Sequence, residues 1–181
     1  MILLGTKKNN DFIHLILEWC GYKKMKLLYR GSRDGALSKD FHKKCDNKGP
    51  TVTLIKSEEE YIFGGYTSIS WSNGYDICLD NNSFIFTLIN MYNLNPIKFK
   101  PKSKGYICHS KYDEPNFGNE ERLLRKIYDI RIGDYFKNKL SYSEFPNIYE
   151  DISGKGKSIF IGKNNDGNFK VIEIEVFGLS N

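Results

Sequence analysis

His42 and Cys45 stand three residues apart in DFHKKCD, with Asp46 directly following. A thiol, an imidazole and a carboxylate are the parts of a Cys-His nucleophile, whose base takes the thiol proton. In such sites the nucleophile and base normally come from different elements, and a third group orients the base. Cys45 instead falls four residues after Phe41, on the apolar side of a short helix that the spacing predicts, where a free thiol packs as a small hydrophobe. The segment therefore reads as a helix, its stop at Gly49-Pro50 and a following strand. Zinc could also be imagined among His42, Cys45, Asp46 and His109, but it needs three or four ligands at paired spacing, and the chain has three histidines in all. Neither a metal nor a cofactor is expected.

Other chemistry is spelled incompletely. SGKGKS, residues 153–158, resembles a phosphate loop, yet the position five before Gly156 is Asp151 where that loop opens on glycine, so it reads as a flexible basic turn. KNNDG, residues 163–167, lacks the glutamate of a calcium loop. Glu173 and Glu175 share one face of a strand roughly 7 Å apart, and the simpler reading makes them the solvent side opposite Ile174 and Val176. Lys98, Lys100, Lys102 and Lys104 alternate through KFKPKSK and, if extended, present four ammonium groups on one side. That pattern suits a docking edge for an acidic surface or an edge strand protected by lysine and proline. Gly64 and Gly65 sit inside a strand pattern, which marks a place where something packs very near the backbone.

The elements that would carry these residues are short. Phe12, Ile13, Ile16, Leu17 and Cys20 recur at helical spacing, with Asn10 or Asp11 as cap and Gly21 as end. MKLLYRGS reads as a strand, Asp34-Gly35 as a tight turn, and Ser38 as the cap of the second helix. From Thr51 the period becomes two: TVTLIKS reads as a half-buried strand, followed by YIFGGYTSISW, SFIFTLIN, PIKFK and GYICHS, with SIFIG and NFKVIEIEVF closing the chain. Asn81-Asn82-Ser83 reads as a turn. Between Asp113 and Tyr149, Leu123, Leu124, Ile127 and Ile130 have helical spacing while YDIRI alternates like a strand, and periodicity leaves both readings open.

At 181 residues the chain fits one domain over residues 1–181 with an ample core. Short strands without β-α alternation predict an α+β, mostly β fold, a two-layer antiparallel β-sandwich with a few flanking helices. Cys20, Cys45, Cys78 and Cys108 are scattered and read as reduced, and Asp11, His14 and Glu18 interrupt the first apolar stretch, so a cytoplasmic or nuclear chain without a membrane span is expected. A net charge of +5 permits an acidic partner and falls short of a nucleic-acid signature.

Taken in order, LLYRGSRDG (27–35), DFHKKCDNKGPTVTLIKS (40–57), FGGYTSISW (63–71), FG (117–118) and IEIEVF (172–177) resemble the TLDc domain of oxidation-resistance proteins, over about residues 11–177. The resemblance implies a β-sandwich with flanking helices and protection against oxidative stress without established catalysis. For several relatives it implies binding to the vacuolar proton-pumping ATPase, whose peripheral sector is the expected partner. On that reading Gly35, Phe41, Gly49, Pro50, Phe63, Gly64, Gly65, Trp71, Phe117 and Gly118 shape the fold. Asp34, His42, Asp46 and the four lysines are the partner-binding candidates. The stretch between FG and DIRI (129–132) is longer than the family pattern, and the chain is close to a bare TLDc unit. A contrasting expectation is a thiol-dependent antioxidant enzyme using Cys45 or Cys108, which needs an accessible thiol of low pKa.

Overall fold

The computed structural model describes residues 7–122, 125–133, 141–163 and 166–181. It opens with helix α1 (Lys7–Cys20), whose apolar stripe of Phe12, Ile13, Ile16 and Leu17 packs on a sheet. Gly21, at φ 75°, donates its N–H to Leu17 O and ends the helix as expected. At the other end the helix already runs from Lys7, so Asn10 and Asp11 lie within it and do not cap it.

The first sheet joins β1 (Lys24–Arg30), β2 (Thr51–Ser57), β3 (Ile62–Thr67), β5 (Phe84–Ile89), β6 (Ile97–Phe99) and β12 (Val171–Ser180) in the order β1-β12-β2-β3-β5-β6. A second sheet holds β4 (Ile77–Leu79), β7 (Tyr106–Cys108), β8 (Asn116–Arg122), β9 (Arg125–Arg131), β10 (Ser141–Tyr142) and β11 (Asn168–Phe169) in the order β11-β10-β9-β8-β7-β4. Every named pairing is antiparallel. The two sheets pack face to face with α1 outside the first, which is the mostly β sandwich the period-two runs predict.

That third layer corrects the half-buried reading of TVTLIKS. Val52 and Leu54 meet α1 while Ile55 faces the second sheet, so both faces of β2 are buried. The ambiguous segment after Asp113 is a β8–β9 hairpin. The stretch between the FG and DIRI motifs forms the body of this hairpin, and Leu123 and Leu124 lie outside the described residues. NFKVIEIEVF divides at Lys170 between β11 and β12, which join different sheets. SIFIG is not a strand: Ser158–Ile161 form one helical turn, α4, bounded by Gly156 and Gly162 at positive φ. Its Phe160 plugs the sandwich, with ring centroids 5.5 Å from Phe63, 5.6 Å from Phe99 and 5.1 Å from Phe145. Four apolar residues suit a buried turn as well as a strand, so tertiary packing decides. Asn164 and Asn165 of KNNDG lie outside the described residues.

The paired glycines make the packing possible. A Cβ on Gly64 would run into Thr53 O across the β2–β3 ladder, and one on Gly65 would lie 2.6 Å from the Phe117 ring. Gly118, at φ 68°, in turn leaves room for the Asp129 carboxylate. Asp129 accepts backbone N–H groups from Asn147 at 2.7 Å and Ile148 at 2.8 Å, tying β9 to the segment that inserts Phe145 and Tyr149 into the core. Burial outweighs these hydrogen bonds and pushes its pKa up to about 6.

Two predictions follow from these contacts. Gly64→Ala, which meets backbone, destabilises by about 3 kcal/mol, and Gly65→Ala by about 1–3 kcal/mol. Only Gly65→Ala couples to Phe117→Leu in a double-mutant cycle read by urea unfolding, because its obstacle is a side chain. Asp129 binds its proton more tightly folded than unfolded, so the stability it contributes is full below pH 4 and lost as pH rises through 6. Against Asp129→Asn, the wild type therefore loses roughly 2 kcal/mol of relative stability between pH 4 and 7.

Candidate functional site

The corner between β1 and β2 gathers most of the residues whose types suggest chemistry. After β1 the chain makes a helical turn, α2 (Gly31–Asp34), and Gly35 at φ 103° turns it again beside the Asp40 carboxylate. Tyr29 Oη donates to Gly35 O at 2.8 Å and holds this reversal. Asp34 faces inward: its carboxylate accepts from the Arg33 guanidinium and the Arg30 N–H, and pairs with Lys44 at 3.3 Å. Hydrogen bonding to Arg33 is the main reason its pKa falls to about 2.

Glu173 and Glu175 are both buried, which overturns the solvent-facing reading. Arg30 Nε meets Glu175 Oε1 at 2.8 Å, and Ser32 Oγ donates to Glu173 Oε2 at 2.5 Å. The pattern misleads because β12 is an interior strand and α2 folds over one of its faces.

Helix α3 (Ser38–Cys45) follows. Ser38 is its first helical residue, not its cap; the capping position is Leu37, whose N–H is accepted by Asp40 at 3.3 Å. The helix stops at Cys45, with Asn47 at φ 58°, before Gly49 and Pro50 are reached. Gly49 donates its N–H to Ser70 Oγ at 2.9 Å in the segment after β3, and Pro50 O accepts from Leu179 N–H at 3.1 Å, which ties the loop to β12. Phe41 is buried, edge-to-face with Tyr29 at 5.8 Å and with Trp71 at 5.8 Å. Trp71 continues to Phe117 at 5.7 Å and donates its indole N–H to Thr51 Oγ1 at 2.9 Å.

His42 does not serve Cys45. Its Nδ1 lies 2.8 Å from Asp46 Oδ1 and its Nε2 3.0 Å from Ser110 O, so both ring nitrogens are engaged with acceptors. His109 bonds elsewhere, with Ser72 Oγ at 2.5 Å from its Nδ1, and burial depresses its pKa. Among the described residues, no group of three or more His, Cys, Asp and Glu side chains could hold a metal. Cys45 is 0% exposed and Cys108 2% exposed, and burial pushes the Cys45 thiol up, away from the low-pKa thiolate that peroxide chemistry requires. SGKGKS is a turn held by its own carboxylate. Asp151 accepts the N–H groups of Ser153, Gly154 and Gly156 at 2.9, 3.0 and 2.7 Å, so the loop's donors are already used.

The four stripe lysines do not form one row, because β6 covers only Ile97–Phe99. Lys98 Nζ lies over the Phe84 and Trp19 rings at 5.0 and 5.9 Å. Lys102 Nζ donates to Asn147 O at 2.9 Å. Lys100 and Lys104 are the exposed pair whose side chains make no such bond. This edge of the first sheet is the opposite one to β1, against which α3 packs, so the structure does not unite the stripe with Asp34, His42 and Asp46.

Around His42 and Asp46 it brings together residues the sequence reading passed over. Lys39, Lys43, Asn73 and Lys111 line with them an open cavity of about 290 Å³. Lys39 and Lys43 are four apart on α3, the same spacing that put Phe41 and Cys45 inside, so their shared outward face was available from the sequence. Lys111 comes from a distant loop and was not.

Thiol accessibility gives a direct check. With a disulfide reagent at pH 8, Cys45 and Cys108 stay silent until denaturant is added, and the partly exposed Cys78 reacts first. Cys20, whose pKa burial pushes up to about 12, follows slowly.

The geometry can be set beside known proteins. The sequence profile of the TLDc domain matches residues 4–180. A segment of 44 residues is 41% identical to the MTOR-associated protein MEAK7 of Danio rerio, over 24% of this chain and 10% of that protein. Another of 112 residues is 41% identical to Interferon-induced protein 44 of Homo sapiens, over 61% of this chain and 24% of that protein. Each match thus takes in only a minor part of the relative's length. The profile, in contrast, spans nearly the whole of this chain, from before α1 to the end of β12, and on that ground the chain belongs to the TLDc domain family.

Proposed function

We propose that this chain is a non-catalytic docking module, linked to protection against oxidative stress, that binds the peripheral sector of the vacuolar proton-pumping ATPase from the cytoplasm and changes its activity. The observation that carries this reading is the division of labour in the motif region. Asp34, His42 and Cys45 are held by contacts within the fold, whereas the lysines around them face outward. A rigid scaffold with a free charged surface suits recognition by electrostatic complementarity. A relative whose name describes it as associated with another protein supports the same class of role. No helix among the described residues is long and apolar enough to cross a membrane.

The test mixes the chain with the purified peripheral sector and follows native mass and ATP hydrolysis together. The expected result is a stoichiometric complex at or below about 10 µM with altered hydrolysis. Reversing the exposed Lys39 and Lys43 to glutamate then weakens it at least about tenfold, with less effect at high salt. No complex at about 50 µM overturns the pump as partner.

A further inference from the structure

The sandwich has strand edges, and the chain treats them differently. On the β1 edge Lys24 and Lys26 are exposed and a bulge lies between Leu27 and Tyr29. At β6 the chain runs into Lys100 and Pro101, and the 148–150 segment pairs alongside through Lys102 N–H to Ile148 O and Glu150 N–H to Lys100 O. These are the usual ways of blunting an edge. At one end of the second sheet, β4 is as short as β6 but has no lysine, bulge or covering segment among the described residues. Its sequence from Tyr75 to Asp80 contains no lysine, proline or glycine, and its register with β7 is unbroken.

The backbone of β4 is also aimed outward. His109 N–H donates to Asp76 O and Asp80 N–H to Gly105 O, both at 2.8 Å, which makes Cys78 and Ile107 the intervening hydrogen-bonded pair. In an antiparallel ladder the groups of the alternate residues, Ile77 and Leu79, then point away from β7. No described residue takes them up on that side. Their side chains are exposed too, Ile77 by 37% and Leu79 by 52%, beside Tyr75 at 55%, while Cys78 packs inward.

Charge says what fits this edge. Tyr75 leads into β4, and Lys111 Nζ sits over its ring at 5.4 Å and over Tyr112 at 4.9 Å. Lys111 in turn shares the cavity of Lys39, Lys43 and Asn73. Asp46 there is taken by His42, and the three lysines outweigh the exposed Asp76. We infer that β4 is a docking edge for an extended segment of a partner protein, which adds as an antiparallel strand along Ile77–Leu79 and delivers carboxylates at its C-terminal end to Lys39, Lys43 and Lys111. Antiparallel addition continues the pairing of the whole sheet and places that C-terminal end beside Tyr75. The edge supplies main-chain hydrogen bonds, Ile77 and Leu79 select apolar residues at alternate positions, and the lysines set direction.

This deepens the docking reading and rests on it only for the chain's serving a protein partner. The test is run on the chain alone, so it can fail while the pump complex stands, or succeed without it. The probe is a fluorescein-labelled peptide of alternating valine and threonine ending in consecutive glutamates, followed by anisotropy. Binding is expected with Kd on the order of 10–100 µM at low salt, weakening as salt rises. Leu79→Pro removes an N–H that the fold does not use and should weaken binding at least about tenfold, with melting nearly unchanged. Lys111→Glu weakens it as well, and a peptide with its glutamates at the N-terminal end binds less well. N-methylation of alternate peptide amides abolishes binding whether or not the proline variant folds. Absence of binding up to about 1 mM, or equal binding by the N-methylated peptide, overturns the inference. So does concentration-dependent self-association that Leu79→Pro removes and the peptide leaves unaffected, which would give the edge to a second copy of the chain.

Discussion

The solvent-facing corner around α3 is positioned by a contact at the centre of the fold, the Phe117 ring resting where Gly65 has no side chain. Two sheets normally pack about 10 Å apart, and a phenylalanine from one can lie flat against the other only where the other offers bare backbone. Trp71 leans edge-on against Phe117, Phe41 against Trp71 and Tyr29 against Phe41. This relay of rings runs from the middle of the sandwich to α3. The place of Lys39 and Lys43 on the surface thus depends on the bare backbone of Gly65 in β3.

Carboxylates do the corresponding work for the loops, Asp80 and Asp129 buried and Asp34 and Asp151 partly exposed. Asp80 accepts from Thr67 Oγ1, Ser68 N–H and Ser68 Oγ at 2.6–2.8 Å. Asp129 secures the 147–148 backbone, Asp151 the glycine-rich turn, and Asp34 the α2 corner. A buried carboxylate is costly unless hydrogen bonds compensate it, and here each one orders a connection that has no regular structure of its own. The residues that look most chemical in the sequence are therefore the ones most occupied in holding the backbone.

What the described residues leave for recognition is a charged surface and the bare strand edge of β4. Under the proposed docking role, a surface already ordered in the free chain loses little binding free energy to ordering its own side chains and loops. In that proposed role the module acts on a larger assembly through where it sits.

The sequence by itself determined the antiparallel β character, the amphipathic first helix, the close approach at Gly64-Gly65 and the burial of Phe41 and Cys45, because period and residue size are local properties. Tertiary structure decided what local pattern cannot express. It showed that Glu173 and Glu175 are inside, because α2 covers an interior strand, and that TVTLIKS is buried on both faces, because α1 adds a layer. It made SIFIG a helical turn, because Phe160 is needed as a plug, and YDIRI a strand, because β8 offers it a partner. It also placed Lys111, a loop residue with no periodic neighbours, beside Lys39 and Lys43. Periodicity records whether a face is apolar; which element covers that face, and which distant charge arrives beside it, depends on contacts between residues far apart in the chain.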